Sequence, residues 1–255
     1  MSTKSRVIFI TGASSGLGYH LAEKYARLGH PVAITARRFE RIQELANRLT
    51  ADGYTVLPIK CDVQSEVDVK NAVQLCVNHF GTIDTMVANA GVGFSTPGAQ
   101  LSTELFETTI KTNVLGALYC FNAVIPEMIQ RGSGQLVSIS SLASYRGLPE
   151  AGSYCASKAA LSALTESLRL DLSPFGVHVS LINPGYIKSP MTDRNQYYMP
   201  FIMSTERGVQ KIYRAIEKRR RISSFPAPLS WFVRSLRFWP SWLYDICFSG
   251  RRNIK

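Results

Sequence analysis

The chain has 255 residues, 45% of them apolar and 18% charged, which is the composition of a globular protein with a sizeable core. A wholly disordered chain, a collagen and a disulfide-stabilised miniprotein are excluded. The formal net charge of +11 is uneven, because residues 204–255 hold twelve Lys/Arg against three Asp/Glu and all three Trp. The composition therefore divides the chain into a nearly neutral body and a basic, aromatic end.

Short apolar and β-branched runs alternate along the body with stretches of helical periodicity. Amphipathic stretches such as 17–29, which ends at Gly29, and 41–49 predict helices. Strands that alternate with helices predict right-handed βαβ units, and therefore an α/β fold with a Rossmann-type doubly wound parallel sheet. We expect a single domain at residues 1–222. The runs that predict buried strands are 6–11, 31–36, 56–60, 83–89, 134–140 and 177–183.

The first predicted strand leads into a glycine-rich turn, TGASSGLG at 11–18, and a predicted helix follows. Glycines let the backbone approach a dinucleotide pyrophosphate closely, and free N–H groups at a helix N-terminus can bind it. The glycine spacing i, i+4, i+6 differs from G-x-G-x-x-G, so an ordinary glycine-rich turn stays open at this point. As a cofactor site the turn would offer Gly12, Ser14, Ser15, Gly16, Leu17 and Gly18.

Two arginines, Arg37 and Arg38, follow the second predicted strand, where NAD-binding sites place an acidic residue for the ribose 2′-hydroxyl. A guanidinium is a permanently charged planar fork that suits a 2′-phosphate. The alternative is a solvated charge pair at a helix start, which the helix dipole disfavours. The pair therefore favours NADP(H) over NAD(H).

Tyr154 and Lys158 lie four residues apart in a predicted helix, so their side chains share one face. A free Tyr has a pKa of about 10, too high for efficient proton exchange at neutral pH. A neighbouring ammonium favours the phenolate and would lower that pKa. Taken alone, a Tyr and a Lys at this spacing are usually exposed surface residues without a catalytic role. The neighbouring motifs therefore have to decide whether this pair is catalytic.

Further short motifs accompany this pair in a fixed order. Each is weak alone, but together they closely resemble the short-chain dehydrogenase/reductase family from about Arg6 to Thr192. The resemblance implies the Rossmann-type fold, a nicotinamide cofactor and oxidoreductase chemistry. The motifs are TGASSGLG at 11–18, Asp62-Val63, Asn89-Ala90-Gly91, Asn113, Ser141, Tyr154-x-x-x-Lys158 and Pro184-Gly185.

The resemblance implies catalytic roles for four side chains. Tyr154 would be the general acid/base that gives a proton to the carbonyl oxygen during reduction. Lys158 would lower the pKa of that Tyr and hold the nicotinamide ribose. Ser141, rather than its neighbour Ser140, would hydrogen-bond to the substrate oxygen, and Asn113 would support a water-linked proton path.

The resemblance also implies cofactor contacts beyond the glycine turn. Ser189 would offer its hydroxyl to the nicotinamide amide, at a position where family members more often carry Thr. The other contacts follow later strands. They are Asp62 and Val63 at the adenine, Asn89, Ala90 and Gly91 beside the ribose, and Pro184, Gly185 and Ile187 at the nicotinamide.

After Pro184-Gly185, members of this family usually insert a mobile substrate-covering loop, which we expect at about residues 190–205. Met and aromatic side chains make an adaptable apolar lining, so this loop favours a hydrophobic or lipid-like substrate. A loop that only packs on the body fits equally well. The apolar residues are Met191, Tyr197, Tyr198, Met199, Phe201, Ile202 and Met203.

The C-terminal segment, residues 223–255, departs from the family pattern. Ile222–Phe225 could form a last strand, and helical spacing over 229–238 predicts an amphipathic helix. Two interpretations stay open: residues 218–255 contact an anionic membrane surface, or the aromatic face packs on the body or a sister subunit. No nucleic-acid motif accompanies the charge, which argues against nucleic-acid binding. The predicted faces are Ser230, Arg234 and Arg237 against Leu229, Phe232, Val233 and Leu236.

Cysteine and histidine placement bears on compartment and metals. The five Cys are scattered without a C-x-x-C pair, which argues against a disulfide framework and a zinc site and favours a reducing compartment. The four His show no ligand spacing, so we expect no metal. No signal-peptide pattern and no apolar run of membrane-spanning length is present. We therefore expect a cytoplasmic protein, with peripheral membrane contact as an open alternative.

These expectations combine into one enzyme: an NADP(H)-dependent oxidoreductase that interconverts a carbonyl and a secondary alcohol, assembled as a homodimer or homotetramer. The alternative is a non-catalytic NADP(H)-binding regulatory protein that acts through its basic C-terminal segment. The presence of Asn113, Ser141, Tyr154 and Lys158 together disfavours that alternative, because a protein without catalysis needs no complete set.

Overall fold

The computed structural model describes residues 5–195 and 198–249, and a seven-stranded sheet with helices on both faces runs through them. The strand order is β3-β2-β1-β4-β5-β6-β7, and every adjacent pair is parallel. This confirms the predicted doubly wound α/β fold, and the six predicted strands coincide with the first six observed. The strands are β1 (Ile8–Thr11), β2 (Val32–Ala36), β3 (Val56–Lys60), β4 (Thr85–Ala88), β5 (Gly134–Ile139), β6 (Val177–Pro184) and β7 (Ile222–Phe225).

Helices connect the strands and continue past the last one. The stretches predicted at 17–29 and 41–49 correspond to the first two helices. The first helix ends at Arg27, and Gly29 follows with φ +81°, a conformation that glycine adopts without strain. The helices are α1 (Gly16–Arg27), α2 (Phe39–Ala51), α3 (Glu66–Phe80), α4 (Thr103–Ile110), α5 (Gly116–Arg131), α6 (Gly152–Leu172), α7 (Thr205–Glu217), α8 (Ala227–Ser235) and α9 (Ser241–Ser249).

Two apolar layers hold the helices to the sheet. On one face, Leu21 of α1 and Ile212 of α7 belong to the same buried cluster as Ile10 of β1. On the other face, Phe121 of α5 belongs to the cluster that contains Phe9. Successive strand residues point to opposite faces, and here both faces are covered. This is why the strands read as continuous apolar runs in the sequence.

The direction of winding reverses between β1 and β4. From β1 the chain moves outward through β2 to β3, then returns to the other side of β1 and continues from β4 to β7. Loops that leave the carboxyl ends of β1 and β4 therefore diverge and open a crevice at this edge. Most residues that the sequence proposes for the site follow the carboxyl end of a strand, so the fold gathers them here.

The C-terminal segment begins inside the sheet, because β7 pairs with β6 and extends past the boundary expected at residue 222. The helix predicted over 229–238 is present as α8 followed by a 3-10 turn, Leu236–Phe238. Its predicted faces are wrong at two positions: Ser230 is buried and Phe232 is half-exposed. The reason is that α8 turns the side carrying Leu229 and Ser230 toward the body.

Three findings bear on membranes, metals and thiols. Across 5–195 and 198–249, no helix combines the length and apolarity that crossing a bilayer requires. The same residues contain no group of three or more His, Cys, Asp or Glu placed to hold a metal ion. The five Cys are unpaired, and Cys247 is the exposed one. Tyr197 of the expected substrate loop and residues 250–255 lie outside the described residues.

Candidate active site

The glycine turn between β1 and α1 lies against the loop that follows β4. Gly12 has φ +69°, and a Cβ at this position would lie 2.7 Å from the Ala90 Cα. A Cβ on Gly18 would lie 2.5 Å from Asn89 Nδ2. Neither position has room for a side chain. Glycine at both positions therefore lets the start of α1 lie directly beside the end of β4.

Thr11 links the same two loops through hydrogen bonds. Its hydroxyl accepts from the backbone N–H groups of Asn89 and Ala90, both at 3.0 Å. Asn89 Nδ2 donates in return to the Thr11 carbonyl at 2.8 Å. The Asn89 side chain, which the resemblance places beside the cofactor, therefore also fixes the glycine turn.

Arg38 reaches over the glycine turn from the end of β2. Its Nη2 donates to the Ser14 hydroxyl at 2.8 Å and to the Ser15 hydroxyl at 3.0 Å. Arg37 is also exposed, but it borders a surface hollow on the side of Asp62. The two arginines thus face different neighbours, and Arg38 is the one that touches the turn.

Asp62 and Val63 follow β3 and have opposite surroundings. The Asp62 carboxylate accepts from the Gln64 backbone N–H at 3.1 Å and remains partly exposed. Val63 is buried against the start of α5, where a Cβ on Gly116 would lie 2.9 Å from Val63 Cγ2. The Val63 side chain therefore belongs to the core, and a contact with an adenine would have to use its backbone.

Asn113 lies in a π-helical segment, Lys111–Leu115, between α4 and α5. Its Oδ1 accepts from the Val92 N–H at 2.8 Å, and its Nδ2 donates to the Val92 carbonyl at 2.9 Å. Nδ2 also donates to the Ser157 hydroxyl at 2.9 Å. The buried Asn113 side chain therefore joins the loop after β4 to α6. Single π-helical turns of this kind occur often at functional sites.

Lys158 is buried on α6 beside that loop. Its Nζ donates to the Ile139 carbonyl at 2.9 Å, and a Cβ on Gly91 would lie 3.5 Å from this Nζ. Burial lowers the pKa of Lys158 to about 8, because a buried ammonium loses its hydration. At neutral pH the side chain is still mainly protonated. It therefore places a positive charge 5.7 Å from the centre of the Tyr154 ring.

Tyr154 lies one helical turn before Lys158 on α6, as their spacing predicts. The loop after β4 also reaches this ring, since a Cβ on Gly93 would lie 3.2 Å from Tyr154 Cδ2. The absence of a side chain at Gly93 thus lets the backbone approach the phenol. Tyr154, Lys158 and Asn113 all border one short loop.

The two serines after β5 face different ways. The buried Ser140 hydroxyl donates to the Lys158 carbonyl at 3.0 Å and lies 3.0 Å from the Ser162 hydroxyl. Ser141 is half-buried at the start of a 3-10 turn, Leu142–Ser144, where its hydroxyl accepts from the Ala143 N–H at 3.1 Å. Ser140 is thus committed to α6, whereas the Ser141 contact leaves its O–H to donate.

Pro184 and Gly185 lie where β6, β7 and α8 meet. Pro184 is buried at the end of β6, and the Gly185 N–H donates to the Phe225 carbonyl at 2.7 Å. A Cβ on Gly185 would lie 3.0 Å from Leu229 Cδ2 and 3.2 Å from Leu142 Cδ1. Glycine therefore permits α8 to meet the loop that carries Ser141.

The residues after Gly185 divide between the site and the core. Ser189 lies beside the glycine turn, because a Cβ on Gly16 would be 3.6 Å from the Ser189 Cβ. Ile187 is buried against α7, where a Cβ on Gly208 would lie 2.6 Å from Ile187 Cδ1. The structure thus brings Ser189 to the turn and places the Ile187 side chain in the core.

The profile of the family described as short chain dehydrogenase matches residues 6–198. The chain belongs to the short chain dehydrogenase family. A similar protein of Myxococcus xanthus (strain DK1622), named an uncharacterized oxidoreductase, is 40% identical over 240 residues, which are 94% of this chain and 95% of that protein.

Two solved structures are similar to this short chain dehydrogenase. A short chain dehydrogenase/reductase from Burkholderia phymatum in complex with NAD has a TM-score of 0.85 at 25% identity, over 100% of this chain and 98% of its own. A short-chain dehydrogenase from Sphingobium yanoikuyae in complex with NADPH has a TM-score of 0.81 at 27% identity, over 98% of both chains. The likeness therefore runs through nearly the whole chain.

Sequence reasoning missed the groups that hold the candidate side chains in place. Two of them adjoin recognised motifs and could have been found: Thr11 opens TGASSGLG, and Gly93 follows Gly91 by two residues. Val92 and Ile139 act through backbone groups, which no sequence pattern marks. These supporting contacts became visible with the tertiary structure.

Replacing Gly12 with Ala should destabilise the fold and prevent dinucleotide binding, whereas Gly29→Ala should only destabilise the fold. Both glycines have positive φ, which costs another residue about 1–2 kcal/mol. A Cβ at Gly29 would meet nothing within 4 Å, but at Gly12 it would meet backbone at 2.7 Å. Urea unfolding measures the loss of stability that we expect in both variants, and NADPH titration measures the loss of affinity that we expect in Gly12→Ala alone. Equal NADPH affinity in the two variants would contradict a tight approach at Gly12.

Replacing Lys158 with Met should remove a pH dependence of stability. The pKa of about 8 lies below the usual lysine pKa of 10.5, so the folded wild type binds fewer protons than the unfolded chain between these pH values. Lys158 therefore opposes folding below about pH 8, and this cost fades as the pH rises. From pH 7 to pH 10, the wild type should gain about 2–3 kcal/mol of unfolding free energy relative to Lys158→Met. Urea unfolding at both pH values measures this change. The same difference in unfolding free energy between the wild type and Lys158→Met at pH 7 and at pH 10 would contradict the prediction.

Proposed function

We propose that this short chain dehydrogenase is an NADP(H)-dependent oxidoreductase that interconverts a carbonyl and a secondary alcohol on an apolar, lipid-like substrate. The observation that carries the proposal is the meeting of Asn113, Tyr154 and Lys158 around the loop after β4. A Cβ on Gly91 would lie 3.2 Å from Asn113 Oδ1 and 3.5 Å from Lys158 Nζ, and Gly93 approaches the Tyr154 ring. The same loop packs on the glycine turn.

The described residues fit a dinucleotide. Gly12 and Gly18 keep the β1–α1 turn free of side chains, and the N-terminus of α1 offers backbone N–H groups to a pyrophosphate. The first turn of α1 holds no acidic residue that would repel it. The two similar structures are complexes with NAD and NADPH, which supports a nicotinamide cofactor. When bound, such a cofactor supplies or accepts the hydride.

The chain's own side chains would handle the proton and the developing charge. Tyr154 would give a proton to the substrate oxygen during reduction and take it back in the reverse direction. The Lys158 ammonium would stabilise the phenolate that remains. The Ser141 O–H would donate to the same substrate oxygen as negative charge grows on it. Asn113, which holds Val92 and Ser157, would support a water-linked proton path.

The proposal includes a preference for NADP(H) over NAD(H). The residues directly after β2 are Arg37 and Arg38, without the carboxylate that would bind a ribose 2′-hydroxyl. Arg38 is already held beside the glycine turn by Ser14 and Ser15. The remaining proposed cofactor contacts are Gly16, Leu17, Asp62, Val63, Asn89, Ala90, Gly91, Pro184, Gly185, Ile187 and Ser189.

The proposed substrate is apolar because the segment expected to cover it exposes large apolar side chains. Tyr198, Phe201 and Ile202 are all exposed, while an isolated bridge between Ile187 and Met203 fixes the end of the segment.

We also propose a cytoplasmic location, assembly as a homodimer or homotetramer, and a separate role for residues 223–255. Light scattering of the purified protein tests the assembly.

The test of the proposed function is consumption of NADPH by the full-length protein, offered a panel of aldehydes, ketones and keto-lipids. We expect the apolar ketones to react fastest and NADPH to be preferred to NADH. Tight NADPH binding without consumption on any member of the panel would overturn the enzymatic function. That result would favour the non-catalytic NADP(H)-binding regulatory protein instead.

A further inference from the structure

The C-terminal segment exposes several of its largest apolar side chains to solvent. Trp231 is 75% exposed, Phe238 85%, Trp242 65% and Ile246 67%. A monomeric protein in water rarely leaves so many large apolar groups uncovered within one short stretch. This cluster of exposed apolar side chains in one segment indicates a surface that an apolar binding partner covers.

The outward orientation of these side chains is fixed, because the segment is anchored to the body by other residues. Leu229, Leu236 and Tyr244 are buried. Arg146, which follows the Ser141 loop, donates from Nη1 to the Leu236 carbonyl at 3.1 Å and lies 4.4 Å from the Tyr244 ring centre. The Tyr244 hydroxyl also donates to the Gly147 carbonyl. The apolar residues of the segment thus divide into an anchoring set and an exposed set.

Positive charge accompanies the exposed set. Residues 226–249 carry two basic residues, Arg234 and Arg237, and a single acidic residue, Asp245. Arg234 and Arg237 are exposed and lie between Trp231 and Phe238 in the sequence. Trp together with Arg on a short amphipathic stretch is typical of segments that lie in a bilayer interface.

The charge decides between the possible occupants of this surface. A second copy of the chain would bring two pairs of arginines together against one acidic residue from each copy, and the net repulsion opposes a self-interface. An anionic bilayer satisfies both features, since its interface accepts aromatic side chains and its headgroups attract Lys and Arg. We propose that residues 226–249 form a docking surface for an anionic lipid bilayer. This inference stands apart from the proposed catalysis.

Docking through this surface would bring the candidate site close to the membrane. Leu229 of α8 packs at Gly185, and Leu142 of the Ser141 loop packs at the same glycine. The ring of Tyr145 lies 5.7 Å from the Arg234 guanidinium. The segment is thus attached to the carboxyl edge of the sheet, where Ser141 and Ser189 lie.

The natural position of the three Trp provides a direct test, because Trp231, Trp239 and Trp242 are the only Trp in the chain and all lie in the segment. Full-length protein is mixed with vesicles of phosphatidylcholine alone or of equal parts phosphatidylcholine and phosphatidylserine. We expect sedimentation with the phosphatidylserine vesicles and a shift of Trp emission to shorter wavelength. Binding should weaken as salt is added, because salt screens the attraction.

Two double variants separate the apolar and charged contributions. Trp231→Ser with Phe238→Ser should abolish sedimentation while Trp239 and Trp242 remain as reporters. The matched control is Val67→Ser with Leu170→Ser, whose side chains are 65% and 68% exposed on α3 and α6. This control should bind like the wild type.

The second double variant, Arg234→Gln with Arg237→Gln, should weaken vesicle binding roughly twenty- to thirtyfold at low salt. Its control, Lys70→Gln with Lys111→Gln, removes the same charge from exposed positions on other elements. Absence of an emission shift, equal sedimentation with phosphatidylcholine alone, or equal losses in the controls would overturn the proposal. So would light scattering in which Trp231→Ser with Phe238→Ser converts an oligomer to a monomer, because these residues would then join copies of the chain.

Discussion

Replacing Tyr154 with Phe should lower kcat by about a thousandfold while NADPH affinity stays within about twofold of the wild type. The substitution removes one hydroxyl and keeps the ring that Gly93 approaches. The proton that Tyr154 would exchange must then come from water. Lys158 and Asn113 keep their backbone contacts with Ile139 and Val92, so the loop after β4 should stay in place. NADPH consumption measures kcat, and titration without substrate measures affinity.

Tyr213→Phe is the matched control for this variant. Tyr213 lies on α7, where its ring packs on Tyr25, and it loses the same hydroxyl without touching the loop after β4. Its kcat should equal that of the wild type. Full activity in Tyr154→Phe would remove Tyr154 as the proton donor. Lost NADPH affinity with kcat retained at saturation would assign the hydroxyl to cofactor binding instead.

The five inner strands were predictable because a covered parallel sheet leaves almost no polar position in its central strands, whereas β3 at the edge is mostly half-buried. All four residues of β1 and all five of β2 are buried, so each reads as one apolar run. Strand β7 gives a weaker signal because Ser223 and Ser224 interrupt it and Ile222 at its start is exposed. Its place in the sheet depends on pairing with β6.

The predicted faces of α8 were wrong at two positions because apolar residues cover most of the helix surface, and only Ser230, Arg234 and Ser235 interrupt them. Trp231 and Phe232 offer as much apolar surface as Leu229, so periodicity cannot select the face that meets the body. The packing of Leu229 at Gly185 fixes the rotation of the helix. That contact buries Ser230 and leaves Trp231 and Phe232 exposed.

The candidate site, like the fold, was predictable only in part. Motifs located the side chains because their residue types and order are distinctive, and the fold places Tyr154, Lys158 and Asn113 around one loop. Their surroundings could not be predicted, because Lys158 bonds to a backbone carbonyl and Asn113 to both backbone groups of Val92. The π-helical turn that carries Asn113 was also hidden, since its sequence reads as continuous helix.

Replacing both Arg37 and Arg38 with Ala should lower kcat/KM for NADPH by about a hundredfold or more and change kcat/KM for NADH by at most a few fold. Each hydrogen bond to a charged group contributes about 1.5–3 kcal/mol, so the loss of one bond from each arginine already reaches that ratio. NADH lacks the 2′-phosphate, and the pair has nothing comparable to bind on it. Equal losses for the two cofactors would contradict the 2′-phosphate assignment.

The surroundings of the two arginines predict unequal contributions. Arg38 is held by Ser14 and Ser15, so it loses less conformational freedom on binding a phosphate than Arg37, which borders a surface hollow. We therefore expect Arg38→Ala to weaken inhibition by 2′,5′-ADP more than Arg37→Ala does, with 5′-AMP nearly unaffected in both. Arg27→Ala is the control, because it removes the same charge at the far end of α1, where Arg27 pairs with Glu23 at 3.1 Å. If Arg27→Ala weakened inhibition by 2′,5′-ADP as much as Arg38→Ala, the preference for the 2′-phosphate would come from the overall positive charge of the protein. A guanidinium that binds the phosphate directly can act only where its N–H donors reach the ligand, and Arg27 lies too far along α1 for that.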